Sequence, residues 1–304
     1  MKYACIDIGT NTVLLAIIER AGQPVDILDI STITRLGEGL KKRGVLSAAA
    51  MERTFAALQR YSDIIKEHNV ENVFCVGTAS LREARNSKDF QEEVEERLGI
   101  PISIISEKEE AFYTYLSAKG DRFVKGGNVI IMDIGGGSTE IIKGNEKGFV
   151  DFVSLPVGSV KLTEMFIKND PPSTMEISSL VDYVRNMLNV PFLCGDGGST
   201  FVGTGGTVTN AAGIISGMEA FEKKKIHGHT IALKEIEKLI EKLKGLTSHD
   251  RSRIKGMEKG REDIILQGML LLKEIMEYFA AQELTVSANG VRYGVLSEAF
   301  EKNI

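Results

Sequence analysis

The chain has 304 residues, of which 43% are hydrophobic and 26% are charged, and its formal net charge is −5. This length is enough for two domains of ordinary size, each with its own core. No apolar run approaches the ~20 residues that a membrane-spanning helix needs, so the composition is that of a globular protein in water. The negative charge argues against a general nucleic-acid binder, although a local basic cleft could still bind an anion.

The start of the chain and the cysteines favour a cytoplasmic location. The opening residues, MKYACIDIGTN, reach Asp7 and Gly9 before the apolar core of a signal peptide could form. The three cysteines, Cys5, Cys75 and Cys194, are scattered and odd in number. Cys5 and Cys75 lie in apolar alternating segments, so we expect reduced core residues rather than a disulfide framework or a zinc site.

The first part of the chain alternates strands with helices. Apolar segments predict strands at YACIDIG, VLLAII, VDILDISTI and ENVFCVGT. Apolar residues on one helical face predict an amphipathic helix over residues 48–67. A further helix is predicted from Ser87, as its N-cap, to Gly99. ISIIS then predicts a strand, and EEAFYTYLSAK predicts a helix.

The glycine-rich end of DRFVKGG marks the predicted boundary between two domains, residues 1–124 and 125–304. After it, GGNVIIMDIGG predicts another strand. Ser173 and Glu176 have the spacing of a capping box before an apolar helical face. Residues 262–280 are apolar on most faces, so we expect a helix in the middle of a domain. Strands and helices alternate throughout, which predicts the α/β class.

One weak internal repeat relates the two halves. YACIDIGTNTVLLAII aligns with VIIMDIGGGSTEIIKG, so that Asp7 matches Asp133 and Gly9 matches Gly135. Both copies are typical of a strand, Asp-Ile-Gly, a tight turn and a returning strand. The repeat predicts a duplicated domain with an interdomain cleft that both glycine turns face. The last helix could cross back to the first domain.

The glycines of DIGGGSTE suit a turn that binds phosphate. Such a turn can leave several backbone N–H groups pointing the same way, and a phosphate oxygen can approach because no Cβ intervenes. Asp133 would repel a phosphate unless a cation lies between them, which indicates Mg²⁺, with Mn²⁺ as the alternative ion. Glu140, on the returning strand, could support the same metal or its water. A plain hairpin turn with a surface acid is the competing interpretation, and the duplicated Asp-Ile-Gly argues against it.

A third glycine cluster, FVGTGGTVTN at residues 201–210, follows a predicted strand and precedes AAGII. It is typical of a strand–loop–helix contact to a phosphate or nucleotide, with Thr204 and Thr207 as hydroxyl donors. Taken alone, any short glycine-rich loop of this kind is a weak signal.

Several motifs together resemble one known family. They are DIGTNTVLL, GTASLREARN, ISEKEEA, DIGGGSTEI, LPVGSVKLTE, GTGGTVTN, KGREDIILQG and VSANGVRYGVL. Their order resembles that of the exopolyphosphatase / guanosine pentaphosphate phosphohydrolase (Ppx/GppA) family along nearly the whole chain, in its short, two-domain form. The resemblance implies two actin-like, ribonuclease H-like α/β domains of the sugar kinase and Hsp70 superfamily.

The same resemblance implies an activity and its partners. We expect release of the terminal phosphate of inorganic polyphosphate, or of the 5′-terminal phosphate of pppGpp, with Mg²⁺. The expected partners are therefore polyphosphate or guanosine penta- and tetraphosphate, in the stringent response, rather than nucleic acid or membrane. A homodimer is left open.

The resemblance also carries roles onto matching residues. The family's general base corresponds to Glu110, the second Glu of EEA, and its metal-linked acids correspond to Asp133 and Glu140. A phosphate-binding arginine corresponds to Arg82 of LREA, and a basic residue near a guanosine-type ligand corresponds to Arg261. The other predicted phosphate contacts are Gly9, Thr10, Asn11, Thr12, Gly135, Gly136, Gly137, Ser138, Thr139, Gly205, Gly206 and Thr207.

Some charged residues keep a second interpretation. Without the resemblance, Glu110 would be taken for a solvated acid, because consecutive charges such as those of EKEEA usually lie on a solvent-exposed face. Arg85 of LREAR is interpreted as a surface residue. Lys223–Lys225, with His227 and His229, could form a track for a polyanion or simply an exposed basic loop.

Three functions compete on this sequence. The phosphohydrolase is the first. A small-molecule kinase of the same superfold would need an acceptor pocket and a base that serves a substrate hydroxyl. A non-catalytic alarmone sensor would not need a base, and the complete acid set of Glu110, Asp133 and Glu140 argues against it.

Overall fold

The computed structural model describes residues 1–302 apart from residues 22, 125, 190–198 and 220–221. Cys5 and Cys75 are buried and free, as predicted, whereas Cys194 lies outside the described residues. Lys125, at the predicted domain boundary, also lies outside them.

The chain folds as two compact units. The first unit is Met1–Ser117 together with Gly290–Ile304, and the second unit is Ala118–Asn289. The predicted division into domains 1–124 and 125–304 stays a prediction.

The first unit contains a mixed sheet with helices on both faces. Its elements, numbered in chain order along the whole protein, are β1 (Lys2–Ile8), β2 (Thr12–Ala21), β3 (Gln23–Ile33), α1 (Leu40–Arg43), α2 (Ala48–Glu67), β4 (Asn72–Gly77), α3 (Ala79–Glu83), α4 (Ser87–Leu98), β5 (Ser103–Ile104), α5 (Glu107–Lys119) and α13 (Val291–Glu301).

The sheet of the first unit is buried on both sides. Within the described residues its strand order is β3-β2-β1-β4-β5, with β1 to β3 antiparallel and β4 parallel to both β1 and β5. Ala4, Ile6 and Ile8 of β1 pack in one cluster with α2 and α4, whereas Tyr3 and Cys5 pack on the other face with α13. A central strand that is covered on both faces needs apolar side chains on both. The segment YACIDI of β1 meets this requirement.

The predicted strands and the amphipathic helix of the first unit are confirmed, and α2 has the predicted bounds. The N-cap predicted at Ser87 is wrong, because the N-cap of α4 is Asn86. The Asn86 side chain does not cap the helix but bonds the backbone of Leu46, accepting from its nitrogen at 2.8 Å and donating to its oxygen at 3.1 Å. The side chain at the N-cap of α4 therefore bonds a distant segment and makes no capping hydrogen bond.

The second unit contains the remaining elements. They are β6 (Val129–Ile134), β7 (Thr139–Asn145), β8 (Gly148–Leu155), α6 (Ser159–Phe166), α7 (Thr174–Leu188), β9 (Thr200–Thr204), α8 (Gly205–Ile215), α9 (Lys223–Ile226), β10 (Thr230–Ala232), α10 (Leu233–Lys244), α11 (Ser248–Arg251), α12 (Ile265–Tyr278) and β11 (Glu283–Val286).

The second sheet repeats the topology of the first. Within the described residues its order is β10-β11-β9-β6-β7-β8, so β8-β7-β6-β9-β11 corresponds to β3-β2-β1-β4-β5, with β10 added at the edge. The strand directions match as well, since β6 to β8 are antiparallel and β9 is parallel to both β6 and β11. The predicted duplication is therefore confirmed at the level of the two sheets.

α12 is buried on most of its faces, as the predicted helix over 262–280 required. It packs against α6, α7, α8 and α10 in the core of the second unit. Among the described residues, no helix is both long and apolar enough to cross a lipid bilayer.

α7 begins with the predicted capping box. The Ser173 hydroxyl oxygen accepts a hydrogen bond from the Glu176 nitrogen at 3.3 Å, and Glu176 Oε2 accepts one from the Ser173 nitrogen at 2.7 Å. Glu176 Oε1 also accepts from the backbone nitrogen of Lys168 at 2.8 Å. These hydrogen bonds, that from the Ser173 backbone above all, lower the pKa of Glu176 to about 2.

Replacing Glu176 by Gln should give a pH-dependent loss of stability. Because the pKa of Glu176 is lower in the folded protein, its contribution is present above the unfolded value, roughly pH 4.3, and is lost as pH falls towards 2. Thermal unfolding of wild type and Glu176→Gln should therefore differ at pH 6 and converge near about pH 2. Glu96→Gln, an exposed acid of α4, controls for loss of one negative charge. Equal melting temperatures of wild type and Glu176→Gln at pH 6 would contradict the capping role.

Candidate active site

Four polar residues lie in one row across the second sheet. Asp133 of β6 pairs with Thr204 of β9 on one side and with Glu140 of β7 on the other, and Glu140 pairs with Ser154 of β8. Residues opposite each other on neighbouring strands present their side chains to the same face. The two predicted metal-linked acids are therefore neighbours on one face of the sheet.

The matching row of the first sheet carries one acid. It contains Val76, Asp7, Leu14 and Ser31. The separation of seven residues between Asp7 and Leu14 equals that between Asp133 and Glu140, which confirms the predicted alignment of the two hairpins. The second copy thus has an added carboxylate where the first has an apolar side chain.

Glu140 and Asp133 have different surroundings. Glu140 is 1% exposed, and its Oε1 accepts a hydrogen bond from the Ser154 hydroxyl at 2.9 Å. Asp133 is partly exposed and lies beside the start of α8. A Cβ atom on Gly205 would lie 2.7 Å from Asp133 Oδ1 and 2.6 Å from the carbonyl oxygen of Ile134. The chain therefore needs glycine at 205 to bring the start of α8 against Asp133.

Gly205→Ala tests this close approach. Gly205 has a φ of +86°, so alanine meets both backbone strain and the overlap with Asp133 and Ile134. We expect a loss of unfolding free energy of about 2–5 kcal/mol, from roughly 1–2 for the backbone and 1–3 for overpacking. Gly217→Ala is the matched control, because its φ is +61° and the space around it is open. Urea unfolding that gave the two variants equal stability would contradict the packing of α8 on Asp133.

The glycine turn of the second unit, residues 135–138, is hydrogen-bonded to the start of α6. The carbonyl oxygen of Gly135 accepts a hydrogen bond from the Ser159 nitrogen at 3.0 Å, and that of Gly136 accepts one from the Val160 nitrogen at 3.0 Å. In a trans peptide the N–H points opposite to the C=O. The N–H groups of Gly136 and Gly137 therefore point away from α6, as a phosphate-binding turn requires.

The glycine turn of the first unit is built in the same way. Gly9 donates its N–H to the Thr12 carbonyl oxygen at 3.0 Å, which closes the turn. The Thr10 and Asn11 carbonyl oxygens accept backbone N–H groups from the segment 34–37 at 2.9 to 3.0 Å. Thr10, Asn11 and Thr12 are all buried. Here too, a second segment holds the carbonyl side of the turn.

Some predicted hydroxyl donors bind the protein's own backbone. Thr139 donates to the Val157 carbonyl oxygen at 2.8 Å, and Thr204 donates to that of Asn289 at 2.9 Å. Thr207 is buried, and so is Ser138 of the glycine turn. The hydroxyls of Thr139 and Thr204 thus hold backbone segments together, and the role of Ser138, Thr139 and Thr207 as phosphate contacts stays a prediction.

Arg261 lies against the first turn of α8. A Cβ atom on Gly206 would overlap the Arg261 guanidinium, and Arg261 also forms an ion pair with Glu258. The structure therefore brings together Asp133, the start of α8 and the predicted basic residue Arg261 within the second unit.

A buried acid near the end of α5 was missed by sequence reasoning. Asp121 accepts hydrogen bonds from the Ser287 hydroxyl at 2.6 Å and from Asn289 Nδ2 at 2.9 Å, and His227 Nε2 lies 3.4 Å from its Oδ1. Burial raises the pKa of Asp121. His227 Nδ1 accepts the Ala288 N–H at 3.2 Å, so His227 has a structural role in this cluster.

In the first unit, Glu110 differs from the acids beside it. Glu110 is 7% exposed, whereas Glu107 and Glu109 are exposed. Arg82 Nη1 donates to Glu110 Oε2 at 2.6 Å, so the structure pairs two of the predicted site residues. The solvated-acid interpretation of Glu110 is therefore wrong. Arg85 is exposed and donates to the Arg43 carbonyl oxygen at 3.1 Å.

A capping box orients the start of α5. Glu109 Oε2 accepts hydrogen bonds from the nitrogen and the hydroxyl of Ser106, both at 2.8 Å, and the Ser106 hydroxyl oxygen accepts the Glu109 N–H at 3.2 Å. These bonds lower the pKa of Glu109. The spacing S-x-x-E of SEKE is a sequence signal for this cap. It assigns Glu109 to the cap, while Glu110, the next residue, turns inward.

Asp133 and Glu140 of the second unit suit a magnesium ion that also binds water and substrate. Carboxylate oxygens suit Mg²⁺, which usually binds through one or two carboxylates, several waters and substrate phosphates. No cluster of three or more His, Cys, Asp or Glu side chains that could hold a metal occurs among the described residues. Asp133 and Glu140 therefore fit an ion that is held jointly with substrate and water, and they do not form an all-protein cage.

Known proteins resemble this chain along its whole length. A model of the Ppx/GppA phosphatase family matches residues 17–303. The bifunctional 3-dehydroquinate synthase/phosphatase of Fusobacterium nucleatum is 32% identical over 314 residues, which cover 98% of this chain and 46% of that protein. Exopolyphosphatase 2 of Mycobacterium tuberculosis is 29% identical over 313 residues, which cover 97% of both. The chain thus spans about half of the first relative and nearly all of the second.

A solved structure shows the same fold. The crystal structure of the Ppx/GppA family member of Aquifex aeolicus is 33% identical to this chain, with a TM-score of 0.84, and the match covers 100% of this chain and 98% of that one. Together with the two repeated sheets, this likeness confirms the predicted actin-like α/β fold class.

Proposed function

Because this chain belongs to the Ppx/GppA phosphatase family, we propose that it hydrolyses phosphoanhydride bonds and releases the terminal phosphate of inorganic polyphosphate. The 5′-terminal phosphate of pppGpp is the second substrate of the same class. One relative that matches 97% of the chain is named an exopolyphosphatase. The observation that carries the proposal is the meeting of the glycine turn, the start of α8 and Arg261 around Asp133 in the second unit.

Backbone amides supply the phosphate contacts of the second unit. The N–H groups of Gly136 and Gly137 are aimed by α6, and the first turn of α8 presents further N–H groups at Gly205 and Gly206. Arg261 adds a positive charge next to Gly206. Amides fixed by the fold stabilise negative charge without having to reorganise during the reaction.

Glu110 is the base in this proposal. It takes a proton from the attacking water while the water oxygen bonds to the terminal phosphorus. The bond from that phosphorus to the leaving oxygen breaks, and the leaving phosphate chain keeps the electron pair as a stable anion. General-base catalysis of this kind contributes roughly 10²–10⁴-fold. The rest of the rate comes from positioning and from neutralisation of charge.

Asp133 and Glu140 would hold Mg²⁺, with Mn²⁺ as the alternative ion. When bound, the ion would neutralise charge on the phosphate oxygens. Asp133 is the partly exposed carboxylate and is assigned as the direct ligand. Glu140 accepts a hydrogen bond from Ser154 and would support the ion or its water.

Phosphate release tests the proposal directly. Polyphosphate, pppGpp and ATP are incubated side by side with the purified chain in Mg²⁺, in Mn²⁺ and in EDTA. We expect release from polyphosphate, pppGpp or both with the metals, loss of release in EDTA, and little release from ATP. Absence of release from both polyphosphate and pppGpp with either metal would refute the proposed function. Consumption of ATP only in the presence of an acceptor would favour a kinase.

A further inference from the structure

We propose that Arg82 is a positioning residue that acts through Glu110. This inference rests on the proposed function, in which Glu110 is the base. The family resemblance assigns Arg82 to phosphate, whereas the contacts of the folded chain give it a carboxylate as its partner.

One guanidinium nitrogen of Arg82 binds Glu110 and a backbone carbonyl. Arg82 Nη1 donates to Glu110 Oε2 at 2.6 Å and to the Ile105 carbonyl oxygen at 3.0 Å. The side chains of Arg82 and Glu110 are 17% and 9% exposed, so water screens the pair only weakly.

The backbone fixes both members of the pair. Arg82 lies on α3, just after β4, and Glu110 lies on α5, just after β5. Ile105, which accepts from Arg82, donates its own N–H to the Gly77 carbonyl oxygen at the end of β4, at 3.0 Å. The next residue, Ser106, caps α5. Two neighbouring parallel strands thus set the spacing between the guanidinium and the carboxylate.

The pair has a consequence for the base. A base must be ionised and correctly oriented, and burial disfavours an ionised carboxylate that has no counter-charge. The Arg82 guanidinium supplies that charge and restricts the rotamers of Glu110. Without it, the buried carboxylate would have no counter-charge and would turn towards water. The loss would therefore appear in kcat rather than in KM.

A double-mutant cycle separates the two roles of Arg82. Phosphate release from polyphosphate with Mg²⁺ is measured for wild type, Arg82→Gln, Glu110→Gln and the double variant. We expect Arg82→Gln to lower kcat roughly 10- to 100-fold in the wild-type background and less than about 3-fold in the Glu110→Gln background, because residues that act as a unit are not additive. An equal loss in both backgrounds, or an increase in KM alone, would overturn the proposal.

Two further variants test the role of the Arg82 charge and control for loss of a nearby arginine. Arg82→Lys keeps the charge but not the planar geometry, so it should restore part of the kcat lost in Arg82→Gln. Arg85→Gln, an exposed arginine three residues further on, should leave kcat unchanged. A kcat for Arg82→Lys that is no higher than that of Arg82→Gln would contradict the role of the counter-charge.

Urea unfolding of the same four proteins gives a readout that needs no substrate. We expect the stability losses of Arg82→Gln and Glu110→Gln to be non-additive, as is usual for residues in direct contact. Additive losses would show that Arg82 and Glu110 do not stabilise each other, and would contradict the inference. A wild type that releases no phosphate from polyphosphate or pppGpp refutes the proposed function, and the base-positioning role with it. Release by wild type together with multiplicative losses of kcat refutes this inference alone.

Discussion

Glu110→Gln is expected to lower phosphate release roughly 10²-fold or more while polyphosphate still binds. Gln is nearly isosteric with Glu, and its amide oxygen can still accept a hydrogen bond from Arg82. The amide cannot accept a proton from water at neutral pH, so the base is lost. The measurements are kcat with Mg²⁺ and polyphosphate affinity by calorimetry, together with the melting temperature as a check on folding.

The structure supplies a control for this prediction. Glu107 lies on the same helix but is exposed, so Glu107→Gln removes one nearby negative charge without touching the buried pair. We expect this variant to keep the wild-type kcat. Undiminished turnover by Glu110→Gln would end the assignment of Glu110 as the base. Glu109 would be a poor substitute, because its carboxylate is already bonded to Ser106.

Much of the fold follows from local patterns. Apolar residues on both faces of YACIDI suffice to place β1 inside a sheet, and the apolar face of residues 48–67 gives α2 its correct bounds. The duplicated Asp-Ile-Gly predicts a second hairpin, which the register of Asp133 with Glu140 confirms. These features depend on side-chain periodicity and turn chemistry, which act over a few residues and can be read directly.

The features that the sequence did not reveal depend on distant partners. Asp121 gains its role from Ser287 and Asn289, more than 160 residues away along the chain. The Asn86 side chain does not cap α4, and it forms hydrogen bonds with the backbone of Leu46, 40 residues away, instead. Such contacts exist only after the sheets have formed, and no local spacing encodes them.

The candidate site is an intermediate case. The family resemblance selected Arg82 and Glu110 separately, but their ion pair spans 28 residues and depends on β4 and β5 being neighbours. The burial of Glu110 beside the exposed Glu109 depends in turn on the cap at Ser106. Each residue could be selected as a candidate from the sequence, whereas the contacts that hold it could not be predicted.

Asp133→Asn is expected to remove most Mg²⁺-dependent turnover and to leave the fold intact. Asn has the same shape and keeps one oxygen, but it lacks the charge that would hold the ion near the phosphate. The expected loss is on the order of 10²-fold, the size typical for loss of one preorganised electrostatic contact. Asp133 is partly exposed, so its replacement should cost little stability. Glu140→Gln is the comparison variant, because Glu140 keeps its hydrogen bond with Ser154 as an amide and should lose less activity.

A readout other than turnover distinguishes loss of the metal from other damage at Asp133. A ligand that binds the folded protein raises its melting temperature in proportion to the logarithm of its concentration above Kd. Mg²⁺ added with inorganic phosphate should therefore raise the melting temperature of wild type and have a much smaller effect on Asp133→Asn. If Asp133 is the direct ligand, higher Mg²⁺ should also recover part of the variant's turnover, because a weaker site can still be filled. Wild-type turnover by Asp133→Asn, or an equal thermal shift in both proteins, would contradict the assignment and would place the ion on other groups.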